Sequence, residues 1–271
     1  MKIPYKFNPL GISKEEGIPT RGLDFYLPLE ENLNDAINGY TPTTDGTGFK
    51  IERDMKSTMD KYGKFYSSNI ITSSSINRVV RYLNTQSLFQ YGTGNFTIAF
   101  WLQAPELKNG RANCIFAKKG GTGVEGMQVV ANNTTYMSLV TKTTSLNTDT
   151  AQNTKWVHWL YERKDGVGYW YKNGVLNSYG ANTDDVTHYD PNTSDISQLI
   201  IFGWNGQYSA CQPDINLKSF RVYNRALTAS EIKALANEFD VKYKVYANNQ
   251  TFRFTPVSRS YTIEYESVST V

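Results

Sequence analysis

The sequence predicts an all-β protein with one short helix toward its C-terminal end. Three observations predict it. Aromatic residues make up 14% of the 271 residues (5 Trp, 19 Tyr, 13 Phe), a composition suited to strands. Short alternating apolar segments recur along the chain between Gly- and Asn-rich breaks. Helical periodicity is evident in one segment, which follows Thr228.

Charge and composition narrow the chemistry. With 28 Lys+Arg against 25 Asp+Glu the formal net charge is +3, which gives no electrostatic reason to expect a nucleic-acid partner. Two cysteines are too few for a disulfide scaffold or a structural zinc site, and Cys114 and Cys211 are expected to be thiols rather than a bridge. His158 and His188 are the only histidines, which limits acid–base and metal chemistry further. A chain of this length can bury a sizeable core.

Met1 to Arg21 reads as an extended arm, because Pro4, Pro9 and Pro19 with Gly11 and Gly17 interrupt regular structure. Its Ile3, Tyr5, Phe7 and Leu10 would be available to dock on a partner. Residues 22–240 form the main domain. Leu23 to Leu27 alternates and stops at Pro28. Phe96 to Leu102 alternates with Phe96, Ile98, Phe100 and Leu102 on one face. Cys114 to Ala117, Met127 to Ala131 and Tyr136 to Thr141 are shorter strands. Trp156 to Arg163, Val167 to Lys172 and Val175 to Tyr179 form a meander. Asp165-Gly166 and Asn173-Gly174 supply the positive φ angles that its tight turns require. Leu199 to Phe202 and Leu217 to Tyr223 complete the strands of this domain. Thr228 and Glu231 then make a capping box, and Ile232, Leu235, Ala236 and Phe239 make an apolar helix face. Residues 241–271 form a β-rich tail, with strands at Val241 to Tyr246, Thr251 to Thr255 and Tyr261 to Val268.

The start of the chain, Met1 to Gly11, contains two prolines and two lysines where a secretory signal needs an apolar run. No run of about 18 apolar residues appears, so neither a cleaved signal nor a membrane span is expected. Release inside a virus particle would be one route out of the cell.

Several segments together resemble the laminin-G-like domains of the concanavalin A-like lectin/glucanase superfamily. They are Phe25-Tyr26-Leu27-Pro28-Leu29 with Asn34-Asp35-Ala36, then Asn95 to Leu102, Lys155 to Tyr161 and Tyr169 to Val175. The most specific is Leu217 to Ile232, a last core strand running through Tyr223-Asn224-Arg225-Ala226-Leu227 into the capped helix. They occur in family order over roughly Gly22 to Asp240. The resemblance implies a two-sheet antiparallel jelly-roll sandwich, often with one concave face. It also implies calcium near Asp35 and Asp214, although Ile215-Asn216-Leu217-Lys218 departs from the family's acidic pattern.

A glycoside hydrolase needs two carboxylates flanking the scissile bond. Acid-x-acid spacing occurs in Glu238-Phe239-Asp240, at the end of the helix, and in Glu264-Tyr265-Glu266, in the tail. Neither lies on a core strand, and Glu162 in the meander has no spaced partner, so catalysis is not expected. His158, between Trp156 and Leu160, reads as a packing residue, and His188 as a solvated loop residue. Gly120 to Gly123 reads as a hairpin loop, lacking the lysine and helix of a phosphate loop.

Sugar recognition needs exposed rings beside planar polar groups. Trp204, Asn205, Gln207 and Tyr208 supply these in one loop, and Tyr189 supplies another ring in the preceding one. Trp204 would equally serve as a cap on the core at a strand end. The functional expectation is a non-enzymatic recognition or structural module of a virion, with a lectin-like fold. It would meet assembly partners through the arm and the tail, a possible glycan through the loops, and neither nucleic acid nor membrane. Oligomerisation suits this reading. The segment Tyr5 to Gly11 resembles the N-terminal segments of phage tail and fibre proteins. The alternative is a bacterial cell-surface or secreted carbohydrate-binding lectin, and a glycoside hydrolase ranks below both.

Overall fold

The computed structural model describes residues 12–14, 18–29, 32–42, 55–60, 63–68, 80–82, 85, 88–106, 112–119, 126–132, 136–149, 153–187, 199–201, 214–238, 242–245, 251–257 and 260–266. In chain order the strands begin with β1 (Ile12–Lys14), β2 (Leu23–Leu27), β3 (Met55–Asp60), β4 (Gly63–Ser68), β5 (Val80–Tyr82) and β6 (Phe96–Glu106). Next come β7 (Ala112–Lys119), β8 (Gly126–Asn132), β9 (Tyr136–Val140), β10 (Ser145–Asn147), β11 (Asn153–Lys164) and β12 (Val167–Lys172). Then follow β13 (Val175–Ala181), β14 (Leu199–Ile201), β15 (Asp214–Tyr223), helix α1 (Ala229–Ala236), β16 (Lys242–Val245), β17 (Thr251–Val257) and β18 (Ser260–Glu266).

Two antiparallel sheets form the sandwich. One runs β13-β12-β11-β6-β15-β4-β3, with β2 also paired to β15. The other runs β10-β9-β8-β7-β14-β5. Strand alternation dictates the core: Phe96, Ile98, Phe100 and Leu102 point inward from β6 and are fully buried. Phe116, Met127, Val129, Met137, Leu139, Leu199 and Ile201 join the same cluster from the other sheet. Phe220 meets Phe25 at 6.2 Å and 78°, and Phe116 at 5.2 Å and 65°, edge-on geometries that aromatic quadrupoles favour. Trp170 stands edge-on to Trp159 and to Tyr161, at 6.2 and 5.3 Å.

The meander has the predicted turns. Asp165 and Gly166 have φ of 53° and 77°, Asn173 and Gly174 of 51° and 76°, so both residues of each turn are left-handed. A side chain at Gly174 would also collide with α1, since a Cβ there would lie 3.1 Å from Ala236 Cβ.

Helix α1 has the expected capping box, with Thr228 Oγ1 accepting from Glu231 N–H and the Glu231 carboxylate accepting from Thr228 N–H. Ile232 and Leu235 pack with Ala99, Leu160, Tyr223 and Leu227 on the outer face of the eight-stranded sheet. The helix stops at Ala236, so Phe239, expected on its apolar face, lies outside the described residues.

β15 pairs with β4 through Ile215–Leu217 and with β2 through Phe220–Tyr223. Its register against β6 shifts between Lys218 and Arg221, where Ser219 takes a φ of 51°. This bulge lets one strand change partners.

The two ends of the chain meet in a third sheet, ordered β1-β16-β17-β18. Part of the arm is therefore a strand, with Ile12 opposite Val245 and Lys14 opposite Tyr243. The described strands of this sheet pair with one another, and none packs extensively on the sandwich or on α1. Residues 18–21 dock on the sandwich instead: Ile18 packs against the α1 cluster, and the Pro19 carbonyl accepts from Tyr223 Oη at 3.1 Å.

Candidate recognition surface

The buried charges of the sandwich are held by local partners. Glu162 is buried on the outer face, and its Oε2 accepts from Leu227 N–H at 2.6 Å. Burial raises its pKa against the opposing effects of that bond and the Lys164 and Arg225 charges. Arg221 donates to Glu238 at 2.5 and 2.9 Å and to Tyr26 Oη at 3.1 Å, with its guanidinium 4.3 Å from the Tyr26 ring centre. Arg225 pairs with Glu231, and that bond is the main force lowering the Glu231 pKa to about 2. The Glu238 carboxylate, first of one acid-x-acid pair, is thus bound to a buried arginine.

His158 is buried with its ring 5.3 Å from that of Trp101. Desolvation first, then the Arg221 charge, lowers its pKa to about 3, so it stays neutral. Its Nδ1 has no hydrogen-bond partner among the described residues. This is the packing role expected of it. Cys114 is buried, its thiol donating to the Phe116 carbonyl at 3.3 Å.

Asp35 organises a loop. Its Oδ1 accepts from the N–H groups of Tyr26 and Ile37 at 2.9 and 3.2 Å, and its Oδ2 from Asn38 N–H at 2.7 Å. With most of its lone pairs facing donors, this carboxylate suits a backbone clamp better than a calcium ligand. Among the described residues no group of three or more His, Cys, Asp or Glu side chains is placed to hold a metal. Asp214 begins β15 opposite Glu106, and its side chain lies outside the described set.

Trp204, Asn205, Gln207, Tyr208 and Tyr189 also lie outside the described residues, as do His188 and Cys211. Of the described neighbours, β14 runs toward the end of the sandwich where β6 ends and β7 begins, and β15 starts at that end beside Glu106. Thr187 sits at the opposite end, where its Oγ1 accepts from Gly92 N–H at 3.0 Å.

Asp184, beside the Tyr189 loop, accepts from Thr141 Oγ1, from Thr143 N and Oγ1, and from Thr144 N at 2.5–2.9 Å. Burial raises its pKa, but these four bonds outweigh it and hold the carboxyl far below its ordinary range.

On the outer face of the six-stranded sheet Cys114, Ala117 and Val130 form a buried cluster with Val140 packed against it. Val130 is the register partner of Ser138, whose Oγ donates to Asn147 Oδ1 at 2.5 Å. On the outer face of the eight-stranded sheet, β13 exposes Tyr179 (69%) and Leu176 (49%), the register partners of Tyr169 and Tyr171. Sequence reasoning placed Tyr169 to Tyr171 in a strand without separating its faces. Alternation supplies the missing signal: Trp170 is in the core, so Tyr169 and Tyr171 face outward.

Among solved structures, the binding domain of Paraclostridial Mosquitocidal Protein 1 aligns at a TM-score of 0.61 and 14% identity, over 90% of this chain and 75% of that one. The botulinum neurotoxin serotype G binding domain aligns at 0.58 and 12%, over 90% and 69%. Trypanosoma rangeli sialidase, solved with sialic acid, aligns at 0.58 and 16%, over 82% of this chain. This chain covers only 34% of the sialidase's length. These likenesses establish a shared fold. A sequence comparison with curated proteins gives no match. The laminin-G-like family profile matches residues 79–233, more than half of the sequence, and the chain belongs to the concanavalin A-like lectin/glucanases superfamily.

Proposed function

We propose that this protein is a non-catalytic carbohydrate-recognition module that reads a glycan with aromatic and planar polar side chains. The disposition of charge carries the reading. Both buried carboxylates among the described residues, Asp35 and Glu162, accept from backbone N–H groups. The buried histidine is neutral and packed on an indole. These buried charges thus serve structure. The Trp204, Asn205, Gln207 and Tyr208 loop offers rings and planar polar groups, with Tyr189 in a separate loop. The two aligned binding domains share this fold, as does the aligned sialidase, so binding and turnover are measured together.

A glycan array probed with the purified chain tests this. The reading expects retention of at least one oligosaccharide class, lost on Trp204→Ala, with no reducing ends released. Steady hydrolysis of the retained glycan would move the protein to the glycosidases.

The proposal extends to attachment. The arm and the tail share one sheet, whose described strands pair with one another and not with either sheet of the sandwich. Such a sheet suits docking into neighbouring subunits of a virion by strand addition. Deleting residues 1–17, short of the docked Ile18–Arg21, is expected to leave the sandwich folded and to abolish incorporation into particles. Normal incorporation of the truncated chain would refute the attachment role.

A further inference from the structure

We propose that Tyr169 and Tyr179, on the outer face at the β13 edge of the eight-stranded sheet, form a stacking platform for a pyranose ring. This rests on the carbohydrate-recognition reading and gives it a second site, on a face of the sandwich rather than in the Trp204 loop.

The geometry is that of a stacked tyrosine pair whose outer ring, Tyr179, is presented to solvent. Tyr169 and Tyr179 are register partners on neighbouring strands. Their rings lie 6.2 Å apart at 25°, nearly parallel to each other. Tyr179 is 69% exposed on a strand that is an edge of its sheet among the described residues. Packing fixes the platform from beneath. Gly168 and Trp170 alternate with Tyr169 and face the core, where Trp170 Nε1 donates to the Leu146 carbonyl at 3.0 Å. Tyr171 closes one side against the α1 cluster, and the Asn173-Gly174 turn abuts Ala236.

Charge and size choose the ligand. The strand Val175–Ala181 contains no charged residue and no proline, and its edge is interrupted only by the register shift between Ser178 and Leu176. Glu162, the register partner of Tyr169, is buried and bonded to Leu227 N–H, so it places no free carboxylate on the platform. The exposed parts of Leu176 and Tyr179, which share this face, sum to roughly 250 Å², a small patch for a monomer surface. A stable protein interface needs about 800 Å² per partner, more than twice that. A sugar ring matches the smaller footprint. Its C–H face meets an aromatic ring while its hydroxyls reach phenol oxygens and water at the rim.

The test compares Tyr179→Ala, Tyr179→Phe and Trp204→Ala with wild type in the full chain. Each is titrated with the oligosaccharides that wild type retains on the array, with urea midpoints to verify folding. The platform predicts about tenfold weaker binding of at least one of them by Tyr179→Ala, and near wild-type binding by Tyr179→Phe. Wild-type affinity of Tyr179→Ala for every oligosaccharide, with loss in Trp204→Ala, would overturn the platform and leave the recognition reading intact. Failure of wild type to retain any glycan would overturn both. A lower solution mass for Tyr179→Ala with unchanged glycan binding would make the patch a protein contact and refute the proposal.

Discussion

Replacing Arg163 with methionine removes a buried cation that ties three loop carbonyls together. The side chain is fully buried, and its guanidinium donates to Gly94 O at 2.7 Å and to Asp184 O and Gly92 O at 2.6 Å. It also lies 4.8 Å from the Phe96 ring centre. Methionine keeps much of the aliphatic stem but donates nothing. Gly92 O keeps the N–H of Val186, so the carbonyls of Gly94 and Asp184 bear the loss. Gly94 is exposed and Asp184 half-buried, so water takes up part of the loss: two hydrogen bonds at about 1–1.5 kcal/mol each, with a further ~1 kcal/mol for the cation–π contact, sum to roughly 3–4 kcal/mol. Relief of guanidinium desolvation offsets part of this, leaving about 2–3 kcal/mol. In urea, at a slope of about 3 kcal/mol/M, the midpoint is expected to fall by about 0.7–1 M. Tryptophan fluorescence reads it directly, since Trp159 and Trp170 are buried in the sandwich. Arg163→Lys should fall between, because an ammonium cannot span three carbonyls as the guanidinium fork does. A midpoint shift below about 0.3 M for Arg163→Met would refute the account of these loops.

Three further outcomes follow from the buried groups. Asp35→Ala should cost about 2–3 kcal/mol, equally in calcium and in EDTA, because its partners are backbone N–H groups; a loss confined to calcium-containing buffer would make Asp35 a ligand. Glu162 has its pKa raised by folding, so its favourable contribution is present below the ordinary carboxylate pKa and disappears as pH rises through the folded value. Glu162→Gln should therefore be more stable than wild type at neutral pH, with the gap closing in acid, as urea midpoints across pH would show. Lys118 is buried with its amine donating to the Thr85 and Leu88 carbonyls, and burial lowers its pKa to about 7. The unfolded chain then binds more protons between about pH 7 and pH 10, so wild type should gain stability across that window relative to Lys118→Met. Parallel pH curves for the two proteins would contradict this.

How much the sequence disclosed depended on burial. Leu23–Leu27 agrees with its expected limits, and Phe96–Leu102 lies within the longer β6, because their apolar alternation records a buried face. The meander and its two turns were legible because Asp-Gly and Asn-Gly pairs meet a steric demand. The strands that escaped were mostly at edges: β3 and β4 close one end of the large sheet, β5 and β10 are the edges of the smaller one, and β1 edges the third. An edge strand such as Met55–Asp60 has a neighbour on one side only, so its residues are less constrained to alternate. The site was less legible for a related reason. Tyr169, Trp170 and Tyr171 are chemically alike in sequence, and only the packing of Trp170 against Trp159 and Tyr161 shows which rings remain outside. The pairing of arm and tail joins residues more than 200 positions apart, which no local pattern records.

The measurement closest to the central claim follows one oligosaccharide through binding. A glycan retained by the array is titrated calorimetrically into the full chain and then recovered and weighed by mass spectrometry. The account predicts saturable binding with the glycan recovered intact. Recovery of cleaved fragments, or the absence of binding by any arrayed glycan, would contradict it.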